Sequence, residues 1–115
     1  SHGKTHIPLV RLTDTGLAEE LRSSRRYLED LLGREVRLLS YPHGAVDRRV
    51  RDAAEKSGYT LGGTSRYGAD LPDRDPLLLR RTEVTAWDSV SDLDLKVFGA
   101  WDWFRFRHPD PAEQS

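Results

Sequence analysis

The sequence predicts an α/β fold with parallel strands, on three observations. Short apolar blocks at Val36 to Tyr41, Tyr59 to Thr64 and Leu77 to Val84 have the length of strands. Longer blocks with helical spacing, Asp14 to Leu32 and Ala45 to Ser57, lie between or before them, and Gly33, Pro42 and Gly58 mark the changeovers. Strands alternating with helices of about ten or more residues pair in parallel, each crossover helix covering one face of the sheet.

The elements follow in order. Pro8 drives Ile7 toward extended backbone and closes any helical turn begun at His2, so residues 1–6 lie on a tight loop. Thr13 is the N-cap of the first helix, Asp14, Glu19 and Glu20 suit its early turns, and Gly33 stops it. Leu17, Leu21, Leu28 and Leu31 recur near a 3.6 period and define its apolar side, with Arg22, Arg25 and Arg26 on the remaining surface. Val36 to Tyr41, centred on Leu38 and Leu39, is the first strand. The second helix carries Asp47 in its early turn, places Val50, Ala53 and Ala54 on one side, and ends at Gly58. Tyr59 to Thr64 is the second strand, Ser65 to Pro76 a surface loop, and Leu77 to Val84 a third strand. A last helix, Ser89 to Phe106, carries Leu93, Val97, Trp101 and Phe104 along one stripe, and 108–115 form a flexible tail.

Composition bounds the possibilities. A chain of 115 residues is one domain at most, and an apolar fraction of 37% in periodic blocks sets it apart from a disordered tail. The 18 basic and 19 acidic side chains are interspersed and leave a net charge of −1, so no field develops to draw in nucleic acid or an anionic membrane. With no cysteine, thiolate sites and disulfides are excluded, and histidine and carboxylate are the available metal ligands. No apolar run is long enough to span a bilayer and no signal pattern opens the chain, so the compartment stays open. A start on a chemically loaded motif without Met reads as the middle of a longer domain.

Two stretches carry chemistry. His2 and His6 are spaced to share one divalent ion through their ring nitrogens, with a third group, a carboxylate, supplied from elsewhere. The competing reading is a pair of solvated or hydrogen-bonded histidines near a chain end. Asp14 could serve as the carboxylate but suits a helix start better. Tyr41-Pro42-His43-Gly44 lies where a strand end meets a loop, the edge at which parallel α/β folds bind ligands. Pro42 and Gly44 shape a turn able to present the His43 amide outward as an oxyanion donor; an ordinary strand-to-helix turn is the alternative. Trp87, Trp101 and Trp103 offer either a sugar-stacking groove or core packing, and Asp70, Asp73 and Asp75 either cation ligands or a solvated loop.

These pieces occur in a familiar order. Ser1-His2-Gly3-Lys4-Thr5-His6, the helix with Leu17-Ala18-Glu19-Glu20-Leu21 and Ser24-Arg25-Arg26-Tyr27-Leu28, the strand ending in Ser40-Tyr41-Pro42-His43-Gly44, and the helix ending in Lys56-Ser57-Gly58-Tyr59 together resemble the polysaccharide deacetylase family. This is the NodB homology domain, a group of carbohydrate esterases. Arg81-Thr82-Glu83-Val84 and Gly99-Ala100-Trp101-Asp102-Trp103 look like the C-terminal portion of bacterial members.

The resemblance implies a partial, distorted parallel (β/α) barrel with its N-terminal strands missing, residues 1–107 being the C-terminal portion of the domain. It implies a metal-dependent hydrolase that removes acetyl groups, mainly N-acetyl, from a polysaccharide, with zinc the usual metal. By correspondence His2 and His6 hold the metal, the backbone amide of His43 forms part of the oxyanion hole, and Tyr41 and Pro42 contact substrate. Family analogy places such proteins in the cell envelope or outside the cell. The chain departs from the family in having no Asp-Asp pair, which supplies the base and third ligand, and no Leu-x-His motif for the general acid; Ser40 stands where an arginine is usual. The expectation is therefore that these residues alone are inactive, bind zinc weakly, and self-associate or retain an N-terminal fragment that completes the barrel. The alternative is an inactive remnant serving as a carbohydrate-binding or protein-interaction module.

Overall fold

The computed structural model describes residues 1–100. Its elements are α1 (Asp14–Leu32), β1 (Leu38–Ser40), α2 (Arg48–Lys56), β2 (Leu61–Gly63) and α3 (Val90–Val97), with single 3₁₀ turns at Leu9–Arg11, Pro42–Gly44 and Pro76–Leu78. The predicted caps of α1 are in place. The Thr13 hydroxyl accepts from the Gly16 amide, and Gly33 ends the helix at φ 63°. Asp47 proves to be the N-cap of α2, its side chain accepting from the Val50 amide, so this helix begins three residues later than the sequence suggested.

β1 and β2 pair in parallel, Leu38 with Leu61, Leu39 with Gly62 and Ser40 with Gly63. The ladder continues on both sides. Ser1 lies in parallel register beside Leu39, its nitrogen donating to the Leu38 carbonyl at 2.8 Å and its carbonyl accepting from the Ser40 amide at 2.8 Å. On the far side Leu79 bridges Gly63. Leu39 and Tyr41 turn inward to meet Leu17 and Leu21 of α1 and Val50 and Ala54 of α2 in one buried apolar cluster. Leu38 and Leu61, one residue out of phase, are exposed on the opposite face. The result is a partial parallel barrel with helices outside and part of the inner face open.

Two expectations are corrected. Leu77 to Val84 is not a strand: Asp75 caps the Leu77 amide, Pro76 opens a 3₁₀ turn, and Leu77 and Leu78 both enter the core. Only Leu79 bridges β2, and the Arg80 amide is taken by the Asp70 carboxylate at 3.0 Å. On α1, Leu31 is exposed and Leu28 only partly covered, while Glu20 and Ser24 turn inward, where Lys4 and Thr5 donate to Glu20 and the Ser1 and Ser24 hydroxyls share a hydrogen bond. The last helix is Val90–Val97, with Gly99 at φ 76° beyond it; its expected extension to Phe106, and the 107/108 boundary, lie outside the described residues.

Candidate metal centre

The histidine loop is folded around one carboxylate. Glu20 shares the inward face of α1 with Leu17, Leu21 and Ser24 and is only 8% exposed. Its Oε1 accepts from the Lys4 amide at 2.7 Å, the Thr5 amide at 2.5 Å and the Thr5 hydroxyl at 2.9 Å. Burial alone would raise the Glu20 pKa, but the Thr5 amide and hydroxyl, the Lys4 amide and the Lys4 charge overcome it and hold the carboxyl below its ordinary value. Gly3 sits at φ 74°, where an added Cβ would come within 3.1 Å of the same oxygen, so the close wrap needs glycine there.

This wrap brings the imidazoles together. The ring centroids of His2 and His6 are 4.8 Å apart, and His43 from the loop after β1 adds a third ring 4.6 Å from His6. All three residues are exposed at the carboxyl edge of the sheet. His2 Nδ1 donates to the Ser40 carbonyl at 2.7 Å; since a carbonyl only accepts, the proton is on Nδ1 and the neutral ring keeps its Nε2 lone pair. His43 Nε2 donates to the His6 carbonyl at 3.2 Å. Among the described residues His6 and His43 are the non-glycine positions with positive φ, 58° each, a left-handed backbone that costs a side-chain-bearing residue on the order of 1–3 kcal/mol. That cost falls on the two residues whose rings meet.

The strand-end turn is built from packing. Tyr41 is fully buried and its hydroxyl donates to the Leu77 carbonyl at 2.9 Å; Pro42 is buried as well. Both rings, expected to contact substrate, are packed into the interior, and the exposed residue of the turn is His43. The Gly44 and Ala45 amides donate to the Tyr41 and Pro42 carbonyls, while the His43 amide makes no hydrogen bond among the described residues. Gly44, at φ 65°, lets the backbone pass against Ser65, whose Oγ would lie 1.7 Å from an added Cβ.

The donor chemistry fits a divalent cation in part. Paired imidazoles, one with its outer nitrogen fixed by a carbonyl, form a familiar half of a zinc ligand set. No group of three or more His, Cys, Asp or Glu able to hold a metal occurs among the described residues. Asp14 is not near: it pairs with Arg49 at the start of α1. Asp75 caps Leu77 and pairs with Arg51, and Asp70 takes the Arg80 amide, so these loop acids serve the fold. Trp87 is 93% exposed, which removes core packing from its two readings, and Trp101 and Trp103 lie outside the described residues. Two contributors escaped sequence reasoning, Glu20 and the Ser40 carbonyl. The signal for Glu20 was its place in the stripe with Leu17 and Leu21; a backbone carbonyl leaves no signal.

This is a partial parallel α/β barrel whose polar cluster sits at the carboxyl ends of its strands, the edge at which such barrels carry their sites. Comparison with known proteins makes this specific. A model of the family described as polysaccharide deacetylase matches residues 1–62, and the chain belongs to that family. It is 31% identical over 101 residues to YxkH of Bacillus subtilis (strain 168), itself a candidate polysaccharide deacetylase, covering 88% of this chain and 34% of that protein. Among solved structures, a polysaccharide deacetylase from Bacillus cereus is similar at TM-score 0.74 and 28% identity, over 84% of this chain and 31% of that one. A Streptococcus pyogenes deacetylase, solved in complex with acetate, is similar at TM-score 0.79 and 23% identity, over 84% of this chain and 42% of that one. The chain thus spans roughly a third to two fifths of the length of these relatives.

Proposed function

We propose that this chain supplies the histidine side of the active site of a metal-dependent deacetylase acting on N-acetylated polysaccharide. The observation that carries the reading is the His2–His6 pair, rings 4.8 Å apart, with His2 Nδ1–H committed to the Ser40 carbonyl so that Nε2 is left to bind. Bound through these two rings and a carboxylate from outside the described residues, a divalent cation such as zinc would polarise the acetyl carbonyl and lower the pKa of a water. Ser40, through its carbonyl, holds the His2 ring in one tautomer and one orientation. The His43 amide, uncommitted among the described residues, donates to the acetyl oxygen as negative charge gathers on it, and the left-handed turn at His43 aims that amide. Tyr41 and Pro42 contribute by making the turn rigid from beneath.

The test is a zinc titration by calorimetry, joined to acetate release from an N-acetylated oligosaccharide by the complete domain. Loss of a ligand in His2→Ala or His6→Ala is expected to weaken zinc binding by more than about 100-fold and to abolish acetate release. Binding and turnover within twofold of the parent in both variants would overturn the reading.

A further inference from the structure

Glu20 is a carboxylate where the helix pattern calls for an apolar side chain. It lies between Leu17 and Leu21 on the buried face of α1, and burying a charge is costly unless donors surround it. Its donors are all on one short segment: every hydrogen bond found for Glu20 comes from Lys4 or Thr5. Those are two of the three residues between His2 and His6, and the third, Gly3, is held glycine by the approach of the same oxygen. A buried acid serving helix packing would spread its bonds over neighbouring elements. This one is spent on the loop.

We propose that Glu20 is a positioning residue for the histidine pair, a clamp that fixes the distance and direction of the His2 and His6 rings. The inference rests on reading those rings as ligands. His2 has a second anchor in the Ser40 carbonyl, and His6 has one in its own carbonyl, which accepts from His43 Nε2. Neither anchor controls the path between the rings. That path reverses through Gly3 at φ 74° and His6 at φ 58°, and the three bonds to Glu20 Oε1 lie inside the reversal. Without them Lys4 and Thr5 turn their amides to water, and the left-handed backbone at His6 relaxes because the one remaining bond, from His43 Nε2, is too little to offset its cost. An acid outside the coordination sphere thereby sets the bite of the two imidazoles, as partners behind metal ligands do elsewhere.

The experiment compares the full chain with Glu20→Ala, Glu20→Gln and Thr5→Val, and takes His2→Ala as control. Three quantities are read: amide exchange at Lys4 and Thr5, the nuclear Overhauser effect between the His2 and His6 rings, and zinc affinity. Glu20→Ala is expected to lose amide protection and the ring-to-ring effect and to bind zinc about 10 to 100-fold more weakly. Glu20→Gln keeps a carbonyl oxygen at the same reach and is expected to restore most of all three. Thr5→Val, at an exposed residue outside α1, removes one donor while leaving every side chain of the helix in place, and is expected to weaken zinc a few-fold, which a loss of helix packing alone would not predict. If Glu20→Ala does not fold, Glu20→Gln and Thr5→Val decide. Ring geometry and zinc affinity unchanged in every folded Glu20 and Thr5 variant overturn the clamp. Unchanged zinc binding in His2→Ala instead sinks the ligand reading, and the exchange and ring data, which need no metal, still judge Glu20.

Discussion

α1 and α3 are delimited by the same local devices and end in different surroundings. Each has a hydroxyl N-cap, Thr13 accepting from Gly16 and Ser89 in a full capping box with Asp92, and each is followed by a left-handed glycine, Gly33 or Gly99. α1 buries Leu17, Glu20, Leu21 and Ser24, whereas α3 buries none of its residues. Caps decide where a helix starts and stops; burial against a partner decides whether it contributes to the fold. The family match, residues 1–62, covers α1 and stops short of α3. The matched stretch includes the layer of α1 packed beneath the histidines. α3 is tethered among the described residues by polar contacts, Lys96 to Asp88 and to the Glu83 carbonyl.

The sharpest break of this contrast is a pair of identical truncations. Leu21 is fully buried against Tyr59, whose hydroxyl donates to the Leu21 carbonyl, so Leu21→Ala removes packing at the centre of the cluster and is expected to cost about 2–5 kcal/mol. Leu93→Ala on α3 starts from a side chain already in contact with water and is expected to stay within about 0.5 kcal/mol. Urea unfolding of both variants measures the difference. Equal losses would mean that α3 is covered as fully as α1.

The same contrast explains what the sequence disclosed. Caps and breakers are local, so α1 was legible from Thr13 to Gly33 to the residue, and the start of α2 missed only by the three non-helical positions Ala45 to Asp47. The parallel pairing followed from alternation, and the short strands from Gly and Pro spacing. Leu77 to Val84 misled because an apolar run looks the same whether it runs along a sheet or dives into a core; Asp75 and Pro76 chose the second, and Asp70 took the Arg80 amide from any ladder. At the site, the histidines were visible by type and spacing. Their arrangement was not, since it depends on Glu20 sixteen residues away from Lys4 and on a backbone carbonyl. The burial of Tyr41 was hidden for the same reason: the motif names the residue, while the partner across the core, Leu77, decides which way the ring faces.

Between the two helices, residues 64–82 are held partly by charge, and pH separates that hold from apolar packing. Burial pushes the Asp75 carboxyl upward, but the Arg51 hydrogen bonds, the Leu77 amide and the charges of Arg51 and Arg74 outweigh it and keep it below its ordinary value. Glu55 and Asp52, which also contact Arg51, share that cation. A carboxyl with a folded pKa below its unfolded one adds stability that is complete above about pH 4. That contribution is lost as pH falls through the folded value. The side chain is 31% exposed, so solvent screens the pair, and Asp75→Asn is expected to cost on the order of 1 kcal/mol at pH 7. Urea midpoints of parent and variant should converge as pH is lowered from 7 to 3; a constant gap would assign the effect to the lost cap rather than to charge.

The smallest effect is the most discriminating for α3. Ser89 donates to Asp92 and accepts its amide, and its own amide is taken by the Asp92 carboxylate, so the box is satisfied entirely within one helical turn. Ser89→Ala removes the N-cap and is expected to weaken the local helix by about 1 kcal/mol. Since α3 buries nothing among the described residues, that loss has no route into the core, and the global unfolding midpoint should not move. Carbon chemical shifts over Val90 to Val97 should drift toward coil while exchange at Leu21 and Val50 stays unchanged. A lowered global midpoint would show that α3 is docked, and the two helices would then differ in degree only.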